Sequence, residues 1–430
     1  MRVLMFGWEF PPHISGGLGT ASYGLTKGMA TLEDLEVIFV VPKAWGDEDE
    51  TIVRLVGANQ VPVAYKKVYY KGFKYPLEKI EVSSKIVPYT DPKNFWKKVK
   101  SEVSGYSLFV KTNNKGMVEF SGRYDTSLMD EINKYAIVAS VIAAENDFDI
   151  IHAHDWLAYP AGIAAMEVSG KPLVIHVHAT DFDRSGGNVN PDVYHIEKSG
   201  MDAASKIITV SNLTRDIVIN KYNIDPDKVE TVYNAVEPVT VSENHTITKG
   251  FDEKVVTFLG RITLQKGPEY FIEAAYKVLQ VMDNVRFVMA GSGDMMERMM
   301  RRAASLKITD RFHFTGFLKG SDVFSMLAMS DVYIMPSVSE PFGISPLEAM
   351  QSNVPVIISK QSGVAEILTH AVKTDFWDID AMADAIYGIL NYPALAKKYV
   401  KKGKEEVIRL KWDNSARHVR DIYYRVIGNN

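Results

Sequence analysis

The chain has no cysteine among its 430 residues, which removes disulfides and thiolate chemistry and leaves any zinc site to histidine and carboxylates. It has no excess of positive charge either, since 49 Lys and Arg stand against 53 Asp and Glu for a net charge of −4. Such a balance creates no field that draws in nucleic acid or an anionic membrane, and leaves room only for a small anion in a local basic pocket. Long apolar runs are missing too. The stretch "AIVASVIAA" at 136–144 falls far short of the roughly 20 residues that a spanning helix needs. The opening "MRVLMFGWEF" lacks the apolar core and cleavage site of a signal peptide and reads as a strand. A cytoplasmic protein with no nucleic-acid partner and no integral membrane segment is expected.

What is present is an ordinary globular composition, 46% hydrophobic and 24% charged, in a chain too long for one core. Short β-branched runs recur, each followed by a turn and a helical pattern: "RVLMF", "LEVIFVV", "FDIIHA", "LVIHV" and "KIITV", then "KVVTFLG", "VRFVMAG", "RFHFTG", "DVYIMPS" and "VPVIIS". Buried parallel strands have this pattern. Two such series predict two doubly wound α/β domains, 1–236 and 237–411, joined through the Pro- and Gly-bearing stretch 234–250. Residues 412–430 predict a terminal helix that packs back on the first domain. Residues 61–125, rich in Tyr, Phe and Lys, break the rhythm. They predict an inserted hairpin and surface helix, or alternatively a platform for a sugar, since aromatic faces stack on sugar rings.

In the first half, "GWEFPPHISGGLGTASYG" runs from strand to helix through a long loop. Gly16 and Gly17 let a backbone approach a ligand, and the helix that follows points N–H groups at any anion there. The loop is too long for the G-x-G-x-x-G turn of dinucleotide enzymes. "HAHDWLAYPAG" and "LVIHVHATDFDRSGG" each end a strand in histidines, where ligands of parallel sheets bind. Asp155 reads equally as the cap of the next helix or as a site residue. His178, at the end of its strand, is the one placed to reach a ligand, although a lone strand histidine is more often core. His152 and His154 lack a third ligand nearby in sequence, so no metal site is expected. Arg184 next to "DFD" predicts a simple ion pair.

In the second half, Arg261 ends a strand and Lys266 precedes a helix that begins around Pro268. Two permanent cations beside a positive helix end suit a diphosphate; solvated surface charges are the plain alternative. Gly291 and Gly293, in "VMAGSGDMMERM", could admit a nucleotide against their backbone or serve packing alone. In "PSVSEPFGISPLEAM", Ser345, Pro346 and Glu348 match a capping box, with serine at N-cap and glutamate reaching back to it. Glu340 has no such local duty. Phe342, Gly343 and Ile344 supply backbone amides before a helix, again suited to phosphate.

Together these residues resemble the retaining nucleotide-sugar glycosyltransferases of the GT-B fold, the glycogen and starch synthases and their sucrose-synthase- and mannosyltransferase-like sister family. The resemblance rests on "SGGLG", "HAHDW", "HVHAT", "GR" with "KG" four residues on, and the pair Glu340 and Glu348 with seven residues between them. It implies a donor nucleoside diphosphate sugar on the second domain and a carbohydrate acceptor, such as an α-glucan, on the first. It implies that Arg261 and Lys266 hold the diphosphate, Glu348 the ribose, and that Glu340 and His178 lie near the donor sugar. It places a Gly17 amide near the phosphates and Asp155 on the acceptor side. Glucose is the expected sugar, and no cofactor or metal is implied. Where glycogen synthases carry lysine, two residues before the glycine pair, this chain has Ile14, which likens the loop to the sister family. Rival readings are a glycoside hydrolase using Glu340 and Glu348, which needs its carboxyls about 5–9 Å apart, and a GT-B nucleotide-sugar epimerase or binder.

Overall fold

A computed structural model describes residues 1–14, 16–49, 51–63, 67–70, 73–76, 112–113, 115–122, 124, 128–238, 249 and 252–428. Every apolar run read from the sequence folds as a parallel strand. The first series gives β1 (Arg2–Phe6), β2 (Glu36–Val41), β6 (Ile150–His154), β7 (Leu173–Val177) and β8 (Lys206–Thr209). Two further strands complete the sheet, β3 (Arg54–Gly57) and β9 (Val229–Thr231). Both are short edge strands, at most half apolar-buried, so their pattern is too brief to be distinctive. A separate antiparallel ribbon pairs β4 (Lys67–Tyr70) with β5 (Phe73–Pro76). Most of the rest of the aromatic and lysine-rich insertion lies outside the described residues, and with it the surface helix and sugar platform expected there, as does most of the joining stretch.

The first sheet runs β3-β2-β1-β6-β7-β8-β9. Strand alternation divides its core into two layers: Leu4 and Phe6 enter one cluster, Val3 and Met5 the other. One face carries α2 (Leu128–Glu145), α3 (Asp155–Ser169) and α5 (Pro191–Ala203); α4 (Asp181–Ser185) and α6 (Asn212–Tyr222) follow β7 and β8. The other face carries α1 (Gly17–Ala30) and the terminal helix, which belongs in sequence to the far end of the chain.

The second sheet takes β10 (Lys254–Leu259), β11 (Val285–Ala290), β12 (Phe312–Gly316), β13 (Val332–Met335), β14 (Val356–Ser359) and β15 (Val372–Thr374) in the order β12-β11-β10-β13-β14-β15. Its helices are α7 (Pro268–Leu279), α8 (Met296–Ser305), α9 (Ser321–Ala328), α10 (Ser345–Gln351), α11 (Val364–Ile367), α12 (Ile379–Asn391) and α13 (Pro393–Val407).

Helix α14 (Trp412–Gly428) then returns to the first sheet and packs on α1. Glycine makes this contact possible. A Cβ on Gly24 would stand 2.3 Å from the Trp412 ring, and one on Gly28 would stand 2.7 Å from the Trp412 carbonyl. No helix among the described residues is long and apolar enough to cross a membrane.

Candidate active site

Each sheet has one place where the strand order reverses, between β1 and β6 in the first and between β10 and β13 in the second. Crevices at the carboxyl ends of such strands receive the ligands of doubly wound sheets. The sequence-selected residues fall there. Gly16 and Gly17 follow β1, Asp155 follows β6, Arg261 and Lys266 follow β10, and Glu340 follows β13.

Around β10 and β13 the loops are laced together by their backbones. Gly260 N donates to Ala290 O at 3.0 Å, Ile262 N to Ser292 O at 2.9 Å, and Val338 N to Gln265 O at 2.9 Å. Gly291 has φ +142°, and a Cβ there would lie 1.8 Å from Gly260 O; one on Gly293 would lie 2.2 Å from Ile262 O. These two glycines, read from sequence as nucleotide contacts or packing, are thus required by loop-on-loop packing whatever else they touch. The exposed guanidinium of Arg261 donates to Gln265 Oε1 at 3.2 Å. Lys266 ends a one-turn helix at 264–266, just before α7, and its ammonium pairs with the Glu340 carboxylate.

Glu340 therefore has a structural duty, but one that its local sequence does not show. Besides Lys266, its carboxylate accepts from Ser337 Oγ at 3.2 Å, and its backbone bonds to Gln361 and Gly363 at 3.0 and 2.9 Å. The reason was invisible in sequence because all but one of these partners come from other loops.

The expected capping box at α10 is not formed. Ile344 is the N-cap, and no side chain bonds the helix start. Ser345 instead shares a hydrogen bond with the Tyr333 hydroxyl at 2.8 Å, which draws it away from the helix start. The Glu348 carboxyl is left half-buried with no hydrogen-bond partner among the described residues, and burial pushes it up to about 7. Phe342 turns into the second-domain core beside Met335 and Leu347, so at 342 and 343 only backbone can meet a donor. Gly343, with φ +102°, makes the turn that leads into Ile344.

On the first domain, Gly16 and Gly17 begin α1 and are exposed, and apart from adjoining chain no atom of the described residues lies within 4 Å of where a Cβ would stand. Asp155 does not cap its own helix. It sits at φ +62°, a conformation a non-glycine residue adopts only when its surroundings hold it there. They do: its carboxylate accepts from His178 N at 3.3 Å, Ala179 N at 3.4 Å and Arg184 Nη2 at 2.8 Å. Burial raises the Asp155 carboxyl, and Arg184 pulls it back. Arg184 thus pairs with Asp155 and with Glu197, at 3.2 Å, rather than with its neighbours in "DFD".

Residues His152 and His154 of β6, His176 of β7 and His178 just past its end share the sheet face covered by α14. Their rings stack, with centroids 4.4 Å apart for His152 and His154 and 4.5 Å for His176 and His178. His154 Nδ1 and His178 Nε2 are 2.9 Å apart, and His152 bonds the Tyr423 hydroxyl of α14. Burial drives His152 and His178 down to about 3, with Arg184 adding to the effect on His178. Pairing β6 with β7 in register brings in His176, the third histidine that sequence proximity could not supply. Imidazole lone pairs lie in the ring plane, and His152, His154 and His176 are within 10–22° of parallel. One ring nitrogen of each nonetheless lies within 4.8 Å of the others, close enough together to hold a metal ion.

Two facing doubly wound domains, with cations and a carboxylate at the reversal point of the second, define the GT-B class. Comparison with known proteins points the same way. Residues 243–406 match the model described as "Glycosyl transferases group 1" and residues 132–239 match "Glycosyltransferase Family 4". The second domain thus resembles the group 1 glycosyltransferases, and the chain as a whole is similar to proteins named as glycosyltransferases and synthases. It is 27% identical to an uncharacterized glycosyltransferase of Methanocaldococcus jannaschii across 98% of both chains. It is 21% identical to the glycogen synthase of Mycobacterium tuberculosis across 98% of this chain and 94% of the other. Among solved structures it superposes on sucrose-phosphate synthase of Thermosynechococcus elongatus with TM-score 0.70 and 16% identity, covering 100% of both. The catalytic domain of starch synthase IV from Arabidopsis thaliana, bound to ADP and acarbose, gives TM-score 0.66 at 16% identity over 99% of both.

Proposed function

We propose that the protein transfers glucose, with retention of configuration, from a nucleoside diphosphate glucose to a carbohydrate acceptor of the α-glucan kind. The observation that carries this reading is the Lys266–Glu340 ion pair, with Arg261 beside it, at the strand-order reversal of the second sheet. A leaving diphosphate needs fixed cations where its charge grows, and a positive helix end nearby adds to them. Arg261 and Lys266 supply the cations and the start of α7 supplies the helix end. Glu340 would accept from the donor sugar's hydroxyls, Glu348 from the ribose, and the backbone at 343–344 would donate to phosphate. Gly16 and Gly17, exposed after β1, would allow a second close backbone approach. His178, held neutral, would serve as a hydrogen-bonding partner of the sugar rather than as a cation, and Asp155 and Arg184 keep its strand end in place.

In the transfer itself the anomeric C–O bond to phosphate breaks as the acceptor hydroxyl bonds to the same face, and the departing phosphate oxygen takes the acceptor's proton. No separate base is needed, so catalysis rests on positioning and on charge stabilisation. The relatives named for glycogen synthesis and the solved starch synthase holding ADP and acarbose support glucan chemistry. A hydrolase reading finds less support, because Glu340 is already neutralised by Lys266 and Arg261 would have no task.

The test is incubation with UDP-, ADP- and GDP-glucose, with and without malto-oligosaccharide, followed by mass spectrometry and proton NMR of the products. Oligosaccharide longer by one α-linked hexose, matched by released nucleoside diphosphate, is expected. Reducing sugar released from glucan without nucleotide, or an isomerised nucleotide sugar formed without acceptor, would overturn the reading.

A further inference from the structure

Asp183 is 1% exposed, yet both of its carboxylate oxygens are occupied, and by groups from different domains. One oxygen accepts from Thr180 N and Thr180 Oγ1, each at 2.8 Å. This closes a capping box on α4 and fixes the chain two residues past His178. The other accepts from Ser339 Oγ of the second domain at 2.6 Å. Ser339 directly precedes Glu340, whose carboxylate holds Lys266. One buried carboxylate therefore joins the segment that carries His178 to the segment that carries Glu340.

The surroundings support the same junction. Helix α4 packs on the turn at 264–266, and a Cβ on Gly186 would lie 3.3 Å from Leu264 Cδ2. Farther from the site a second cross-domain contact is made at the start of α6. There the Glu366 carboxylate accepts from Asn212 N at 2.9 Å, Leu213 N at 2.7 Å and the Tyr233 hydroxyl at 2.9 Å. Gly363 is pressed so close to Ser211 that a Cβ would stand 2.4 Å from the Ser211 Cβ. That contact is tight, made partly by backbone, and lies next to the connection between domains. The Asp183–Ser339 contact is a single side-chain hydrogen bond across the cleft, beside the reacting groups.

We propose that Asp183 and Ser339 form a latch between the domains which holds His178 in register with the donor site, and that both are positioning residues for transfer. The inference rests on the function proposed above. When the domains are together, Asp183 is desolvated, and its second oxygen is satisfied only if Ser339 donates. Without that hydroxyl the closed arrangement leaves an unpaired buried carboxylate oxygen, whereas an open one gives it water. Ser339 thus favours closure without touching the leaving group, and closure completes the catalytic constellation.

Ser339→Ala, Ser339→Thr and Lys266→Ala in the full chain test this. Ser339→Ala is expected to lower kcat by about tenfold to hundredfold, with affinity for nucleoside diphosphate alone unchanged by calorimetry. Ser339→Thr, which keeps the hydroxyl, should restore kcat. Lys266→Ala should lose both turnover and nucleotide affinity, which separates the latch from the donor site. Small-angle scattering with nucleoside diphosphate bound should give a larger radius of gyration for Ser339→Ala than for the wild type. A wild-type kcat in Ser339→Ala, a parallel loss of nucleotide affinity, or no rescue by threonine would overturn the latch. So would superimposable scattering curves, and that readout stands even if no donor of the panel is turned over, an outcome that would sink the proposed function instead.

Discussion

Lys266 and Glu340, 74 residues apart in the chain, form one ion pair that joins the loop after β10 to the loop after β13. Neither charge is solvated surface: the side chains are 20% and 8% exposed. The pair holds both loops where an anionic donor would bind, and Lys266 must share itself between Glu340 and that donor. Glu340→Gln keeps the shape and removes the charge. It is expected to lower kcat by about tenfold or more, while a nucleoside diphosphate without sugar binds as tightly as before or tighter. Calorimetry beside steady-state kinetics checks this; weaker binding of the bare nucleotide would count against it.

Glu348 gives a pH dependence. Burial lifts its carboxyl from the ordinary 4.5 to about 7. A raised carboxyl favours the protonated form in the fold, so its contribution to stability is complete below the unfolded value and is lost as pH rises through the folded one. Glu348→Gln should leave the melting temperature nearly unchanged at about pH 5 and raise it above wild type at about pH 8. Thermal melts at the two pH values check the sign, and equal shifts at both would contradict it.

The histidine stack has the opposite sense. The ordinary value is 6.5, and burial takes His152 and His178 to about 3 and moves His154 and His176 well below it. The unfolded chain then binds more protons than the fold between those limits, so stability should fall as pH drops below about 6.5. Urea unfolding across that range should give a declining midpoint, and His176→Asn should flatten the decline. Activity should show no rate-limiting histidine ionisation at neutral pH.

Trp412 fills the groove that Gly24 and Gly28 leave on α1. Trp412→Ala is expected to cost about 3–5 kcal/mol, read as a lowered denaturation midpoint. Gly24→Ala should destabilise as well, because the added methyl collides with the indole. Near-wild-type stability in both would mean that α14 does not stabilise the first domain.

Much of this is legible in the sequence, for a physical reason. Buried parallel strands such as "LEVIFVV" and "VPVIIS" carry a local, dense apolar signal, and cations such as Arg261 and Lys266 beside a helix start are visible in a short window. What escaped was long-range. The sequence near Glu340 says nothing of Lys266, and that near Asp183 nothing of Ser339, 156 residues away. His176 joins His152 and His154 only through strand pairing. The capping box at Ser345 failed because a tertiary partner, Tyr333, outcompeted the local one. The short strands β3, β9 and β15 gave too few apolar positions to be read at all.

The donor site is the centre of the account, and Arg261→Ala and Lys266→Ala address it most directly. Release of nucleoside diphosphate from the nucleotide sugar, in the presence of acceptor, should fall at least about a hundredfold in each, with folding intact by thermal melt. Release within about twofold of wild type in both variants would contradict the assignment of these cations to the leaving group.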